Sequence, residues 1–421
     1  MPISEDVVVV GGGVAGSVAA LAAAETGASV RVVTYKKSTL RHASGLIDVL
    51  GYTPDGDAPL ADPFEGLDAL PEGHPYHIVG EEGIREGLAT FDDVVGEEYL
   101  GAHTDANALV PTHGGAVKPS ARYPKAAAGG VASDDRDMLL VGFESMTDFE
   151  ASLAADHLDA AGVPFEVSGV TIEFPRSFRA DAKLTRFAKA LDTDEEVGGR
   201  GTREALASAV EPHLDGAERV GFPSLLGDDH RHEVRADMEA YLGAEVFEVP
   251  MGPPSLPGLR LEDLLFDALD EAGVRISSGN KAVGYETDDG EISAVVVDRK
   301  GREVPYHAGA VVLATGGLVG KGITSSREGI REPLFDCYVP HPDDRYDWFV
   351  EDAFGDHPFT SFGVSPDDRL RPTRPDGHAE FENLFAAGGV VGGANVAAEK
   401  SASGVSLATG VVAGREAGES A

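Results

Sequence analysis

Cysteine and basic residues are both scarce in this chain of 421 residues. The one cysteine, Cys337, excludes a disulfide within the chain and any cysteine-ligated metal or iron–sulfur site made by this chain alone. The chain has 34 Lys and Arg against 72 Asp and Glu, which gives a formal net charge of −38. It therefore lacks the positive surface by which proteins bind nucleic acids and anionic membranes.

The acidic residues are spread along the whole chain and do not form a tail. Hydrophobic residues make up 42% of the sequence, enough for large buried cores. Repulsion among so many carboxylates destabilises a compact state at low ionic strength. At molar salt the Debye length falls to about 3 Å, and most of that repulsion vanishes. The composition therefore predicts a protein of a high-salt cytoplasm, as in haloarchaea.

Long hydrophobic runs are rare, and the one near the start is interrupted by glycines. Residues 7–24 carry no charge over 18 positions, which is long enough for a membrane span. The run divides, however, into a β-branched stretch, Val7–Val10, and an alanine-rich stretch, Val14–Glu25. We predict a strand and a helix here, followed by a second strand at Ser29–Thr34. No signal-peptide pattern precedes the run, so we expect a cytoplasmic chain.

The glycine turn between this strand and this helix has the spacing G-x-G-x-x-G. A strand, such a turn and a helix together bind the phosphates of dinucleotides, because the turn and the helix N-terminus present backbone N–H groups. The candidate cofactor-binding residues in the turn are Gly11, Gly13, Val14, Ala15 and Gly16.

The rest of the chain indicates an α/β fold in three segments. Residues 1–135 would be the first part of a Rossmann-like domain with a loop-rich extension, residues 136–255 an inserted α/β domain, and residues 256–421 the remainder, with a β-meander. Strands alternating with helices predict largely parallel sheets. After residue 50 we expect helices at 81–91, 148–161, 232–242, 260–272 and 404–415. We expect strands at 138–141, 163–172, 217–221, 244–249, 274–277, 281–286, 292–298, 303–306 and 310–313. The acidic stretch 192–196 is interpreted as a solvated loop.

Two apolar segments end in glycines, at Ala314-Thr315-Gly316-Gly317 and at Ala387-Gly388-Gly389. With the first glycine turn and the meander, they resemble flavoproteins of the fumarate reductase and glycerol-phosphate dehydrogenase type, which have two dinucleotide-binding domains. The resemblance implies a flavin. It also implies cofactor contacts at Ser44, Gly45, Thr315, Gly316, Gly388, Gly389, Ser403 and Gly404.

A closer resemblance, to the B-subunit family of anaerobic glycerol-3-phosphate dehydrogenases, extends from Val7 to the C-terminus. The stretches that carry it are 11–16, 44–50, 148–155, 254–261, 329–333, 362–364, 370–372 and 383–385. It implies FMN as cofactor, an FAD-bearing A subunit and a membrane-anchoring iron–sulfur C subunit. The complex would oxidise glycerol 3-phosphate to dihydroxyacetone phosphate and pass electrons to quinone. The chain would then be peripheral to the cell membrane, held there through its partners.

Thr34 stands where an FAD protein usually ends its second strand with Asp or Glu, which binds the adenosine ribose. A hydroxyl lacks the bidentate reach of a carboxylate. We therefore expect FMN, with FAD as the alternative. Lys36 and Lys37 could face a terminal phosphate or be solvated loop charges.

Other candidate residues are weaker. His42 could form a covalent link to the flavin, as a histidine in this segment does in some related flavoproteins. The adjacent Ser44 and Gly45 favour instead a segment that contacts the flavin through its backbone. The histidines in residues 228–232 are two apart, so they do not share a helix face, and we interpret the segment as a polar helix start. The arginines of the last quarter, above all Arg331 and Arg371, could bind a phosphate or carboxylate, or could pair with nearby acids.

No general base is evident in the sequence. The alternatives to a dehydrogenase subunit are therefore an electron-relay or assembly subunit that has flavin but no substrate site, and a fumarate-reductase-like dehydrogenase.

Overall fold

A computed structural model describes residues 3–35, 39–179, 182–253, 255–353 and 355–421. The chain forms two compact units. The first contains Met1–Thr39, Asp48–Gly96 and Asp263–Ala421, and the second contains Leu40–Ile47 and Glu97–Glu262. The second unit thus includes residues 97–135, which the predicted division of the chain had assigned to the first segment.

The strands occur in both units and are numbered along the chain. They are β1 (Ile3–Val10), β2 (Val30–Thr34), β3 (Tyr99–Leu100), β4 (Ala108–Pro111), β5 (Val117–Ser120), β6 (Tyr123–Pro124), β7 (Met138–Phe143), β8 (Val167–Ile172), β9 (Arg219–Pro223), β10 (Glu245–Val249), β11 (Arg275–Ser278), β12 (Lys281–Asp288), β13 (Glu291–Asp298), β14 (Glu303–Leu313), β15 (Thr324–Ser325), β16 (Ile330–Arg331) and β17 (Leu384–Ala386).

The α-helices are numbered in the same way, and short 3₁₀ turns lie between several of them. They are α1 (Val14–Glu25), α2 (Pro75–Val95), α3 (Ala151–Ala161), α4 (Leu184–Thr193), α5 (Thr202–Val210), α6 (Arg231–Leu242), α7 (Leu256–Glu271), α8 (Val396–Glu399) and α9 (Ala402–Ser420). Within the described ranges, no helix is long and apolar enough to cross a membrane.

The first unit is built on a seven-stranded sheet in the order β11-β2-β1-β14-β13-β12. Strands β11, β2, β1 and β14 are parallel, and β17 runs parallel to β14 beyond the end of β13. Strands β12, β13 and β14 form the predicted antiparallel meander. Val7–Val9 are fully buried, as the continuous β-branched run predicted for a strand covered on both faces. The carboxyl ends of the parallel strands therefore meet at one edge.

Helices α1 and α9 pack closely because small residues line their contact. A Cβ on Gly410 would lie 2.8 Å from the carbonyl oxygen of Ala15, and one on Gly414 would lie 2.2 Å from that of Ala19. The alanine-rich stretch is thus a buried helix of the first unit. The last helix, predicted at 404–415, extends further at both ends in the structure. It begins at Ala402 and ends at Ser420.

The second unit contains a parallel four-stranded sheet in the order β10-β9-β7-β8, which confirms the predicted parallel arrangement of the middle region. Its core is rich in phenylalanine. Phe143 contacts Phe174 edge to face at 5.2 Å between ring centroids, and Phe174 contacts Phe187 in the same way at 5.1 Å.

Helix α2 begins six residues before the predicted helix at 81–91 and ends four residues after it. The added first part, 75–80, ends in a kink at Gly80, whose φ of +67° is not helical. Gly83 and Gly87 lie inside the predicted helix, and a Cβ on Gly87 would lie 2.7 Å from the backbone carbon of Leu407 on α9. These glycines permit close helix packing within the first unit and do not break the helix. Helices α4 and α5 were not predicted at all.

The acidic stretch 192–196 is not merely solvated, as the sequence had suggested. The Asp192 carboxylate accepts hydrogen bonds from the backbone N–H groups of Asp228, Asp229 and His230, just before α6, at 2.9 to 3.2 Å. A carboxylate at the N-terminus of a helix satisfies donors that have no intrahelical partner. Asp192 therefore anchors the loop that leads into α6.

Candidate functional site

The glycine turn after β1 folds tightly against the end of β14. Gly11 has a φ of +129°, and a Cβ there would lie 2.0 Å from the carbonyl oxygen of Ala314. A Cβ on Gly16 would lie 2.0 Å from the carbonyl oxygen of Gly11. Both positions thus require glycine for close backbone approach, and not only for flexibility.

The N-terminus of α1 opens at this turn without a side-chain cap. Gly13 is the N-cap residue and supplies no side-chain hydrogen bond, and the first turn has no acidic residue. The first N–H groups of a helix have no partners within the helix, and the helix dipole makes that end positive. Val14, Ala15 and Gly16 therefore present backbone N–H groups of the kind that bind phosphate, and their contact with a cofactor stays a prediction.

The glycines after β14 and β17 lie beside the same turn. A Cβ on Gly388 would lie 2.6 Å from the Cβ of Ala15, and a Cβ on Gly317 would lie 2.6 Å from the carbonyl oxygen of Gly389. Gly316 has a φ of +80°. The parallel register of the strands thus brings together glycine segments that are separated by several hundred residues in the chain.

Thr315 gives the clearest indication of a ligand at this edge. Its Oγ1 is buried and has no hydrogen-bond partner. Buried hydroxyls are almost always hydrogen-bonded, because an unpaired buried hydroxyl costs about 1–3 kcal/mol. Thr315 therefore fits a site that is completed by a bound polar molecule.

Thr34 lies at the end of β2, beside the glycine turn. Its side chain is buried, and a Cβ on Gly12 would approach the Cβ of Thr34 to 3.1 Å. The next residue, Tyr35, is exposed. Lys36 and Lys37, proposed as possible phosphate contacts, lie outside the described residues.

The N-terminus of α9 is fixed by residues that the sequence analysis did not single out. The backbone N–H of Ser403 donates to Oδ1 of Asp48 at 2.7 Å. A Cβ on Gly404 would lie 2.2 Å from the hydroxyl oxygen of Tyr76 and 2.8 Å from Cα of Val49. Ser403 is thus already bound to a carboxylate, and Gly404 permits the close approach of α9 to the chain around Val49.

A buried network stands just before this helix. His74 Nε2 is 3.2 Å from Oε2 of Glu399, and the Ser401 hydroxyl donates to the same oxygen at 2.8 Å. The backbone N–H of Asn395 donates to Oε1 of Glu399 at 2.8 Å. His74 Nδ1 accepts from the backbone N–H of Tyr76, so Nε2 carries the proton and donates to Glu399. No motif points to this network, because its members come from distant parts of the sequence.

The surroundings of these buried groups shift their pKa values in opposite directions. Burial alone would raise the pKa of Glu399, but the hydrogen bonds from His74 and Ser401 outweigh it and hold the pKa below its usual value. Burial, reinforced by the charges of Asp48 and Glu399, raises the pKa of Tyr76. Glu399 is therefore ionised and Tyr76 is neutral at neutral pH.

We predict that Glu399→Gln lowers the free energy of unfolding by about 2 kcal/mol at neutral pH, because a hydrogen-bonded carboxylate is lost. A depressed pKa stabilises the fold above the unfolded-state value near 4.5, and that contribution is lost as the pH falls through the lower folded-state value. The difference between wild type and variant, measured by denaturant titration, should therefore shrink on acidification. Glu81→Gln, in an exposed pair with Arg85, is the control and should change little. A difference that does not depend on pH would contradict this account.

Ser44 and Gly45 belong to the second unit. Gly45 has a φ of +80°, and a Cβ there would lie 2.8 Å from Cβ of Pro257. The Ser44 hydroxyl accepts from the backbone N–H of Leu46 at 3.4 Å, and His42 is exposed. Within this unit the segment is a tight backbone turn. Its proposed cofactor contact stays a prediction.

The arginine candidates differ in their surroundings. Arg371 pairs with Asp367 at 2.7 Å and also with Glu382. Arg369 pairs with Glu416, and Arg374 pairs with Glu380. Arg331 is exposed at the end of β16. The role of Arg331 and Arg371 in catalysis stays a prediction, and their neighbours favour ion pairing for Arg371.

Of the two histidines in residues 228–232, His232 has a side-chain partner, and the side chain of His230 makes no cap hydrogen bond. His230 is the N-cap residue of α6, and Nε2 of His232 lies 2.9 Å from Oε1 of Glu98. Among the residues that the structure describes, no group of three or more His, Cys, Asp or Glu is arranged to hold a metal ion.

Comparisons with known proteins identify the families to which the chain is similar. Residues 6–405 match the family model described as an FAD binding domain. The probable B subunit of anaerobic glycerol-3-phosphate dehydrogenase from Halobacterium salinarum is 57% identical over 423 residues, covering 100% of this chain and 99% of that protein. The B subunit of anaerobic glycerol-3-phosphate dehydrogenase from Vibrio cholerae is 29% identical over 424 residues, covering 96% and 94%. A solved flavocytochrome c3 fumarate reductase in its open conformation has a TM-score of 0.39 at 14% identity, covering 99% of this chain and 79% of that one.

Proposed function

The chain belongs to the FAD binding domain family and to the family of anaerobic glycerol-3-phosphate dehydrogenase B subunits, and from this membership we propose that it is the flavin-bearing B subunit of such a dehydrogenase. The observation that carries the proposal is the glycine-lined edge of the large sheet. There the backbone of Ala314 and Thr315 lies against the turn that precedes the uncapped N-terminus of α1, and the buried Thr315 hydroxyl has no hydrogen-bond partner. An oxidoreductase role follows from the family.

The residues at this edge fit a flavin nucleotide. The turn 11–16 and the start of α1 would hold its phosphates, and the Thr34 hydroxyl lies near enough to the turn to serve a ribose. Thr315 and the glycine segments 316–317 and 388–389 would hold the cofactor through backbone groups and one hydroxyl. When bound, the flavin supplies the two-electron acceptor, while the chain binds and orients it.

We propose that the flavin is FAD. The preference for FMN is not supported, since the matching family model is one for FAD. That preference depended on a missing carboxylate at the end of β2. Its absence removes one ribose contact, but the phosphate-binding turn at 11–16 is still present, and it suits the pyrophosphate that FAD has and FMN lacks.

Acid precipitation tests the cofactor. We expect trichloroacetic acid to release all the flavin, and mass spectrometry of the supernatant to find FAD in a one-to-one ratio with the chain. Flavin that stays with the pellet would point to a covalent link, for which His42 is the candidate. Stoichiometric FMN would contradict the assignment of FAD.

The substrate proposed is glycerol 3-phosphate, which would be oxidised at C2 to dihydroxyacetone phosphate, with quinone as the final electron acceptor (EC 1.1.5.3). An FAD-bearing A subunit and an iron–sulfur C subunit would complete the complex, and the C subunit would hold it at the cell membrane. Family membership supports these assignments, since the named relatives are subunits of that dehydrogenase.

A second candidate role is an electron-relay or assembly subunit without its own substrate site. Arg371, a candidate for binding the substrate phosphate, is occupied by Asp367 and Glu382, and this observation favours the second role. The test is anaerobic addition of glycerol 3-phosphate to the purified chain and to the purified complex. Flavin bleaching in the chain alone would support the dehydrogenase role, and bleaching in the complex alone would support the relay.

A further inference from the structure

Four of the eight exposed large apolar side chains that the structure describes in the first unit lie in one segment, 346–359. Tyr346, Phe349, Val350 and Phe359 are 66%, 49%, 41% and 38% exposed. We call these four residues the apolar face. Single exposed apolar residues are common on proteins, but contiguous ones usually mark a contact surface.

Contacts within the segment join the two short 3₁₀ turns in or near which the four residues lie. The rings of Tyr346 and Phe349 are 6.4 Å apart between centroids. The backbone N–H of Val350 donates to Nδ1 of His357 at 3.1 Å, and the His357 ring stacks on Phe359 at 5.1 Å. The apolar face is therefore built from residues at two short 3₁₀ turns, Arg345–Trp348 and Pro358–Ser361, and from the residues next to the first turn.

The segment beneath this face is held in place. Trp348 donates from Nε1 to the carbonyl oxygen of Pro342 at 2.8 Å. Its ring lies edge to face against His341 at 5.8 Å and Phe362 at 6.3 Å. An exposed surface that is already ordered loses less conformational entropy on binding, so it is suited to docking.

Carboxylates alternate with the apolar face along the chain. Asp343, Asp347, Glu351 and Asp356 are all at least partly exposed, and Arg345 is the one basic residue in the same stretch, 343–356. An acidic rim of this kind selects a partner with basic residues around an apolar centre. Pairs that become partly buried at a contact are screened much less by salt than exposed ones.

The charge decides between the possible occupants. A second copy of this chain would bring an identical acidic rim into direct contact with the first, since a two-fold contact places the same surface on both sides, and like charges buried at a contact are screened little by salt. An anionic membrane would be repelled in the same way. A different polypeptide with a basic rim meets neither objection.

We propose that the apolar face docks another subunit of the same dehydrogenase complex, whose contact surface has an apolar centre and a Lys/Arg rim. This inference rests on the proposed function, which makes the chain one of several subunits. Aromatic residues at the centre of an interface carry most of its binding energy, while charged rims set specificity and orientation.

The test uses the tagged full-length chain, isolated with its companion subunits from cells that make the complex, in molar KCl. Tyr346→Ser with Phe349→Ser removes the aromatic centre. Leu153→Ser with Tyr241→Ser is the matched control, because these residues are 51% and 49% exposed in the second unit. The measurements are the ratio of companion to chain after washing, flavin content and melting temperature. We expect the face variant to lose the companion at least ~tenfold with flavin and melting temperature unchanged, and the control to keep it.

Other outcomes are equally decisive. Equal retention of the companion by face variant and control would overturn the proposal. So would a dimer of the isolated chain in light scattering that the face variant abolishes, or face-dependent binding to vesicles of phosphatidylglycerol and phosphatidylcholine. If the wild-type chain retains no companion, the proposed role as a subunit is contradicted. The proposal that the apolar face docks another subunit is then contradicted as well.

A variant of the rim keeps the proposal testable if the serine variant loses flavin or melts early. Asp347→Asn with Glu351→Gln and Asp356→Asn leaves the apolar side chains intact. We expect it to retain several-fold less companion, with the deficit growing as the salt is lowered toward the limit of stability. Unchanged retention at every salt concentration would overturn the proposed basic rim of the partner.

Discussion

A Gly11→Ala variant is expected to purify with at least ~tenfold less flavin than the wild type and to be about 2–5 kcal/mol less stable. The added Cβ would lie 2.0 Å from the carbonyl oxygen of Ala314, and the φ of +129° is one that alanine adopts only with strain. Relief of the clash must separate the turn after β1 from the end of β14. That separation would disrupt the surface that we propose for the flavin. Visible absorbance per chain and denaturant titration measure the two effects.

Gly27→Ala is the control for backbone strain alone. Gly27 has a φ of +93°, and nothing lies within 4 Å of a Cβ built there. We expect a loss of stability of about 1–2 kcal/mol with full flavin content. If both variants lost flavin equally, backbone strain would explain the result, and not the close approach of Gly11 to Ala314. That outcome would contradict the flavin site proposed at the end of β1.

Transfer from molar KCl to ~0.1 M salt is expected to lower the melting temperature by at least ~10 °C, and to unfold much of the protein at ambient temperature. The chain carries 72 acidic against 34 basic residues. Many of its arginines are already paired, as Arg31 is with Glu5 and Arg203 with Glu233 and Asp237. The excess carboxylates therefore repel one another as the Debye length grows from about 3 Å to about 10 Å. We expect the resulting loss of unfolding free energy to be comparable with the total of about 5–15 kcal/mol that a typical domain has.

Circular dichroism across a KCl series measures this dependence. Sucrose at matched osmotic strength in low salt is the control, since it favours compact states without screening charge. We expect sucrose to restore only a small part of the lost stability. A melting temperature that is already high in low salt, and rises little with KCl, would contradict the halophilic interpretation.

The first strand, the glycine turn, the first helix and the meander could be predicted because each depends on a local pattern. A β-branched run, the spacing G-x-G-x-x-G and hairpin turns act over a few residues. Only the part of helix α2 that follows Gly80 was predicted. The first part, 75–80, is separated from it by Gly80 at a φ of +67°, so a local helical pattern does not continue across that residue. The close packing of Gly83 and Gly87 on α9 could not be predicted, because α9 lies more than three hundred residues later in the chain.

The partners of individual side chains could not be predicted from the sequence either. The sequence allowed Arg371 to bind a phosphate or carboxylate, or to form an ion pair. In the structure it forms ion pairs with Asp367 and Glu382. Asp192 was interpreted as a solvated acid because its backbone partners are 36 to 38 residues away. The network of His74, Glu399 and Ser401 spans 325 residues between its histidine and its glutamate.

By itself, the sequence determined the family, the flavin-type fold, the first strand–turn–helix unit and the solvent to which the protein is adapted. These depend on composition, order and short spacings, which need no knowledge of contacts. The tertiary structure alone decided which glycines approach another backbone, which carboxylates are ionised in buried networks and which aromatic residues remain exposed together. Those properties arise only when the folded chain brings distant segments together, because close approach and burial are relations between residues and not features of any one of them.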